Sequence, residues 1–297
     1  MATRHVTDGG LETDLIFLRG FDLPEFASFP LLDTDEGRAA LRDYYLAYVD
    51  IAVRAGAPLL LETPTWRANP DHAARLGYDA AALDRVNRES VAFLAALAAE
   101  RADELTGWEV GGMLGPRGDG YVSAGAVDPD EAAEYHRPQL ASFVAAGATR
   151  ATVLTLTEVG EAIGVSRAAA DLGLPVGIGF TVETDGRLPD GSTLAGAVAA
   201  VDADAPPAYF LINCAHPSHV LRGLEPGAWR DRIGGLRVNA STMSHAELDE
   251  AQTLDDGDPL ELADAQLPLL DAFGGLEVLG GCCGTDARHV AAMWGVS

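Results

Sequence analysis

Residues 276–285 read LEVLGGCCGT, an apolar run that ends in glycines and two adjacent cysteines. Seven earlier runs have the same character, since each combines β-branched or other apolar residues with a polar or glycine-containing turn. They are HVTDGG (5–10), APLLLETPTW (57–66), WEVGGMLGP (108–116), TRATVLTLT (149–157), LPVGIGFTVE (174–183), AYFLINCAHP (208–217) and RIGGLRVNAS (232–241). The pattern predicts eight short strands.

Alanine-rich stretches with helix signals separate these runs. Asp128 followed by Pro129 is typical of a helix start, and Ser244 with Glu247 forms a capping-box pattern. Apolar strands that alternate with helices indicate a parallel sheet covered on its outside. Eight repeats favour an α/β protein with a single (β/α)8 TIM barrel domain over residues 1–297, and an open doubly wound sheet is the alternative.

Composition excludes several classes of function. The formal net charge is −25, so we expect neither nucleic acid nor anionic membranes as partners. All twenty basic residues are arginine, and the absence of lysine excludes Schiff-base aldolases, pyridoxal phosphate enzymes and Walker-type phosphate loops. No apolar run is long enough for a membrane span and the first residues do not resemble a signal peptide, so we expect a cytoplasmic protein.

The three cysteines stand at positions that a barrel would bring together. Cys214 follows AYFLIN in the sixth run, and Cys282 and Cys283 follow LEVLGG in the eighth, so all three stand at the strand ends where barrel enzymes place their active sites. One interpretation is buried small residues or a vicinal disulfide. Another is a zinc site, either closed by His216 or His289 or left with one open position. In an open site a substrate thiol would be held as its thiolate, which favours thiol alkylation over hydrolysis.

Longer motifs lie at the ends of the predicted strands. They are TDGGLETDL (7–15), GGMLGPRGDG (111–120), EYHRPQLASFVAAGAT (134–149), the asparagine-cysteine pair at 213–214 and GGCCGT (280–285). Together they resemble the homocysteine S-methyltransferase family over residues 8–289, almost the whole chain. The resemblance implies a zinc-dependent barrel that transfers a methyl group to homocysteine, giving methionine. The donor would be a small onium compound such as S-methylmethionine, S-adenosylmethionine or betaine.

The resemblance also implies roles for individual residues. The ligands of Zn²⁺, which would form the catalytic centre, are Cys214, Cys282 and Cys283. The residues expected to meet the amino-acid end of homocysteine are Asp8, Gly9 and Gly10. Further substrate-binding residues are Glu158, Asn213 and Asn239.

Three departures from the family pattern bear on the substrates. The glutamate-threonine pair usual after strand four is replaced by TLTEVGEA (155–162), in which Glu158 is the nearest carboxylate at a shifted spacing. PNSGE after strand seven is replaced by VNAST (238–242), and Arg117 stands where an aromatic residue is common. These changes leave the donor open and allow another thiol or a selenol as acceptor. A zinc-storing or redox-sensing barrel is the non-enzymatic alternative.

Two further acids are candidates for the mouth of the barrel. Glu62 precedes Trp66 by four positions, and a carboxylate beside an aromatic ring can bind a sulfonium or quaternary ammonium donor. Glu183 stands at the end of the fifth run and could face the same pocket. Ordinary loop packing is the alternative for each.

Overall fold

The structure is a computed structural model that describes residues 4–123 and 125–296. Within these residues, eight parallel strands form a closed barrel in which neighbours in the chain pair and the last strand pairs with the first. The strands are β1 (His5–Val6), β2 (Leu59–Glu62), β3 (Trp108–Leu114), β4 (Arg150–Leu156), β5 (Val176–Phe180), β6 (Tyr209–Asn213), β7 (Ile233–Val238) and β8 (Val278–Gly281). The predicted barrel is confirmed, and the alternative open sheet is wrong.

Helices alternate with the strands and cover the outside of the barrel. They are α1 (Leu11–Thr13), α2 (Asp35–Ala55), α3 (Pro70–Arg75), α4 (Ala80–Glu100), α5 (Pro129–Ala146), α6 (Val159–Asp171), α7 (Leu194–Asp204), α8 (Pro217–Arg222), α9 (His245–Glu250), α10 (Pro259–Ala272) and α11 (Ala287–Met293). The predicted caps are confirmed. Asp128 accepts hydrogen bonds from the first backbone amides of α5, and Ser244 with Glu247 forms the capping box of α9.

Two apolar clusters form most of the core. The larger joins the strands to the surrounding helices. In the smaller, every buried member belongs to a strand, so this cluster fills the barrel interior: Leu60, Met113, Leu154, Tyr209, Leu211 and Val278. Charged groups above this apolar filling are costly unless they are paired. None of the helices in the described part of the chain is long and apolar enough to cross a membrane.

Candidate active site

The three cysteines meet at the carboxyl-terminal mouth of the barrel. Cys214 follows β6 and is buried, whereas Cys282 and Cys283 follow β8 and are partly buried. The three Sγ atoms lie within 4.8 Å of one another, and those of Cys214 and Cys283 are 3.5 Å apart. All three are free thiols. These three side chains are named the thiol cluster.

Close backbone contacts between the ends of β1 and β8 shape the loop that carries two of the thiols. Gly281 N donates to Asp8 O at 2.9 Å, and Gly10 N donates to Thr285 O at the same distance. A Cβ atom on Gly10 would lie 2.6 Å from the carbonyl oxygen of Cys282, which is backbone and cannot move aside cheaply. Glycine at position 10 therefore lets the two strand ends approach each other.

Backbone strain marks the carboxyl ends of β4 and β6 at the barrel mouth. Cys214 has a φ of 55°, and Thr155, which is β-branched, has a φ of 66°. Such left-handed conformations are uncommon outside glycine and concentrate at functional sites. Asn213, the last residue of β6, connects the two strand ends because its Oδ1 accepts from Thr155 N at 2.9 Å. Its Nδ2 lies 3.9 Å from Sγ of Cys282.

The chemistry of the thiol cluster favours a bound cation. Hydrogen bonds from Cys214 and Cys283 hold the pKa of Cys282 well below its ordinary value, and the nearby Arg237 lowers it further. Hydrogen bonding within the cluster, together with burial, raises the pKa of Cys214 and Cys283. One sulfur is thus favoured as a thiolate, and ionisation of all three requires a positive charge between them. Three sulfurs around one tetrahedral ion are about 3.8 Å apart. The Sγ atoms of Cys214 and Cys283 are 3.5 Å apart and all three lie within 4.8 Å of one another, so the residues fit a thiophilic metal ion.

A buried arginine joins three strand ends beneath the mouth. Arg237 in β7 donates through Nη2 to Asp8 Oδ1 at 2.5 Å and to Gly9 O at 3.1 Å. It also donates through Nη1 to Glu62 and through Nε to Gly281 O at 3.0 Å. Burial raises the pKa of Asp8 to about 6, although the charge of Arg237 opposes that rise. Glu62 therefore pairs with Arg237 and does not line the pocket described below.

A tyrosine from the long loop after β3 covers the thiol cluster. The hydroxyl of Tyr121 lies 3.1 Å from Sγ of Cys214 and 3.3 Å from Sγ of Cys283. Burial raises its pKa well above the ordinary value, so the hydroxyl stays protonated and can donate to sulfur. Its ring stacks on that of His245, with 4.3 Å between the centroids, and His245 Nδ1 lies 2.9 Å from Glu183 Oε1. Glu183 thus supports this stack and does not line the pocket described next.

One pocket opens beside the thiol cluster, and it is named the thiol pocket. Much of its wall is apolar or aromatic, formed by Phe26, Trp66, Met113 and Leu154. The side next to β1 is formed by Asp8, Gly9, Gly10 and Glu12. All three cysteines also line it. A sulfur compound that enters this pocket therefore reaches the thiol cluster.

Three of the expected substrate-binding residues lie outside the thiol pocket. Glu158 is the N-cap of α6, where its carboxylate accepts hydrogen bonds from Gly160 N at 2.7 Å and Glu161 N at 2.6 Å. Asn213 is fully buried, and its hydrogen bond with Thr155 connects the ends of β6 and β4. Asn239 follows β7 and lines a small cavity behind Cys214. Their contacts with substrate, like those of Asp8, Gly9 and Gly10 in the pocket wall, stay predictions.

Sequence reasoning misses three residues of the site. Arg237 carried a signal, because a charge inside the apolar run IGGLRV requires a buried partner or a function. Tyr121 lies in a loop whose path no local pattern predicts. Glu12 stands in TDGGLETDL, where no periodic pattern predicts that its side chain faces the pocket.

Comparisons with known proteins identify the fold and the family of this chain. A model of the homocysteine S-methyltransferase family matches residues 5–295. Crystal structures of the homocysteine methyltransferase MmuM from Escherichia coli share the fold. The oxidised form is 23% identical with a TM-score of 0.76 and covers 98% of this chain and 94% of that chain. The metallated form is also 23% identical, with a TM-score of 0.74. That match covers 99% of this chain and 96% of the MmuM chain. A search of curated proteins gave no match.

The two kinds of comparison carry different weight. Identities below 25% show a common fold. The family match, in contrast, extends over nearly all of the chain and includes every residue of the thiol cluster. The chain therefore belongs to the homocysteine S-methyltransferase family, whose enzymes transfer a methyl group to the thiol of homocysteine.

Proposed function

We propose that this protein transfers a methyl group from a small onium compound to homocysteine in a reaction that depends on Zn²⁺. The observation that carries the proposal is the convergence of three cysteine thiols, from the ends of β6 and β8, on one open pocket. Zinc, when held by Cys214, Cys282 and Cys283, lowers the pKa of a thiol at its remaining position so that the thiol is ionised at neutral pH. The candidate donors are S-methylmethionine, S-adenosylmethionine and betaine.

The donor set supports zinc over the hard cations Mg²⁺ and Ca²⁺. Thiolates are soft ligands, whereas Mg²⁺ and Ca²⁺ require oxygen. Around the sulfurs, the hydroxyl of Tyr121 and the amide of Asn213 supply polar hydrogens. These contacts compensate part of the negative charge that a three-thiolate cage carries.

The pocket wall suits an onium donor. Phe26 and Trp66 pack edge to face with 6.2 Å between their centroids, and both line the thiol pocket. Aromatic rings attract sulfonium and quaternary ammonium groups through their faces, and Trp66 already shows this preference because the guanidinium of Arg67 lies 3.9 Å from its ring centroid. Apolar walls exclude water from the reacting atoms. The leaving group is a neutral thioether or amine, so no general acid is required. The role of this wall is to hold donor and acceptor in line.

The test is metal analysis of the reduced protein together with methionine formation from homocysteine and each of the three donors. We expect one equivalent of zinc and methionine from one donor. Replacement of any one cysteine by serine should reduce both zinc content and turnover, and thermal melting of each variant monitors folding. A Cys283→Ser protein with full zinc and full turnover contradicts the proposal.

Two other outcomes redirect the assignment. Zinc without methionine from any donor moves the chemistry to another thiol or a selenol, which competition between thiols would identify. Absence of zinc from the reduced protein, even after incubation with the metal, would mean that the cysteines are packing residues and that the proposal is wrong.

A further inference from the structure

One carboxylate in the thiol pocket has no cationic partner. The hydroxyl of Ser28 donates to Glu12 Oε1 at 2.7 Å. Arg67 attracts Glu12 electrostatically, but among the described residues no cation forms a salt bridge with it. Its side chain is half-buried and lines the pocket beside Phe26 and Trp66. Burial raises the pKa of this carboxyl to about 7, and the negative charge of Cys282 adds to the rise. The protein itself therefore compensates the charge of an ionised Glu12 only in part.

The other carboxylates that sequence reasoning offered for the substrate are already engaged. Asp8 Oδ1 accepts from Arg237, and its Oδ2 accepts from the hydroxyl of Tyr44 at 3.2 Å. Both oxygens of Glu158 accept backbone amides at the start of α6, and Glu158 lines a different cavity. Of these three carboxylates, Glu12 is consequently the one available to bind a ligand cation in the thiol pocket.

The position of Glu12 relative to the thiols is set by its neighbour in the chain. Thr13 Oγ1 accepts from Gly284 N at 3.1 Å and donates to Gly10 O at 3.0 Å. These bonds tie the turn that carries Glu12 to the loop that carries Cys282 and Cys283. The Glu12 carboxylate and the thiol cluster are thus held in a fixed relative position within one pocket.

We propose that Glu12 binds the α-ammonium group of the acceptor and makes the enzyme selective for amino acid thiols over simple thiols. The inference rests on the proposed function, because it assumes that the acceptor thiol enters the thiol pocket. In homocysteine, four bonds separate sulfur from the ammonium nitrogen, so one small pocket can engage both ends. The ammonium supplies the positive charge that Glu12 lacks, and the apolar walls strengthen the attraction by excluding water.

The test compares two ligands that differ by a single group. Homocysteine is 2-amino-4-mercaptobutyrate, and 4-mercaptobutyrate lacks only its amino group. Binding of each to the zinc-loaded protein is measured by calorimetry without any methyl donor, for the unchanged protein and for Glu12→Gln. We expect the unchanged protein to bind homocysteine about 10- to 100-fold more tightly, which is the range for a hydrogen bond to a charged group. In Glu12→Gln that preference should disappear while affinity for 4-mercaptobutyrate is retained.

A matched variant separates Glu12 from the residue expected from the sequence. Glu158→Gln should leave the ratio of the two affinities as it is in the unchanged protein. The proposal is overturned if Glu12→Gln preserves the preference, or if Glu158→Gln abolishes it. Should Glu12→Gln fail to fold, equal affinity of the unchanged protein for the two ligands overturns the proposal by itself, and a preference of the expected size that Glu12→Asp reduces supports it.

Binding without a donor also keeps the two proposals distinguishable. Discrimination between the ligands with no methyl transfer supports the role of Glu12 and contradicts the proposed reaction. Methyl transfer to homocysteine without discrimination between the two ligands supports the proposed reaction and contradicts the role of Glu12.

Discussion

Replacement of Arg237 by methionine tests whether the buried ion pairs hold the barrel mouth together. Arg237, Asp8 and Glu62 are each at most 2% exposed, and the guanidinium makes four hydrogen bonds to strand ends. Methionine conserves much of the volume but leaves two carboxylates buried without a cation. Removal of one partner from a buried pair costs about 3–5 kcal/mol. For 297 residues the unfolding entropy is about 0.6 kcal/mol/K, so the melting temperature should fall by about 5–8 °C.

The assay is thermal melting and denaturant unfolding at several pH values. Burial raises the pKa of Asp8 and the charge of Arg237 opposes that rise, so without Arg237 the carboxyl group of Asp8 holds its proton more firmly when folded, and the deficit should be smaller at pH 5 than at pH 8. Arg232→Met is the matched control, because its pair with Asp202 is about one-third exposed and should contribute at most about 1 kcal/mol. A drop in Arg237→Met no larger than in this control, or one independent of pH, refutes the reasoning.

Three further predictions concern the surrounding loops. Gly10→Ala places a Cβ atom 2.6 Å from a backbone oxygen, so we expect a loss of about 1–3 kcal/mol and weaker metal binding in melting and metal titration. Gly107→Ala, whose Cβ would meet no atom closer than 3.8 Å, should lack both effects. Asn213→Ala leaves the buried amide of Thr155 without an acceptor, at a cost of about 1–3 kcal/mol by denaturant titration, and a neutral result contradicts its bridging role. Burial raises the pKa of Asp8 from 3.8 to about 6, so the folded protein holds a proton that the unfolded chain releases between about pH 4 and 6. Asp8 thereby lowers the free energy of unfolding by up to about 3 kcal/mol as pH rises through that window. Asp8→Asn should remove this contribution to the pH dependence of the unfolding free energy. An unchanged pH dependence in the variant argues against the raised pKa of Asp8.

Features encoded by neighbouring residues were predictable. The eight apolar runs and the caps at Asp128 and Ser244 depend on contacts within a few residues, so local pattern predicts them. The barrel in turn follows from their alternation. Once the barrel was expected, the three cysteines were expected at one mouth, because the carboxyl ends of all its strands share that mouth.

Tertiary structure decided which polar side chains face the pocket. Glu158 stands at a strand end in the sequence, yet its carboxylate turns to the amides of α6, since a helix start competes for any nearby acceptor. Arg237 meets Asp8 and Glu62 only because closure of the sheet brings β7, β1 and β2 to one side of the mouth. Barrel closure likewise directs Arg237 to Asp8 and Glu62, and Glu12 is left with a hydrogen bond from Ser28 instead of an ion pair. Residue identity determined which chemistry is available, and the side-chain directions and pairings set by barrel closure decided which groups are left to perform it.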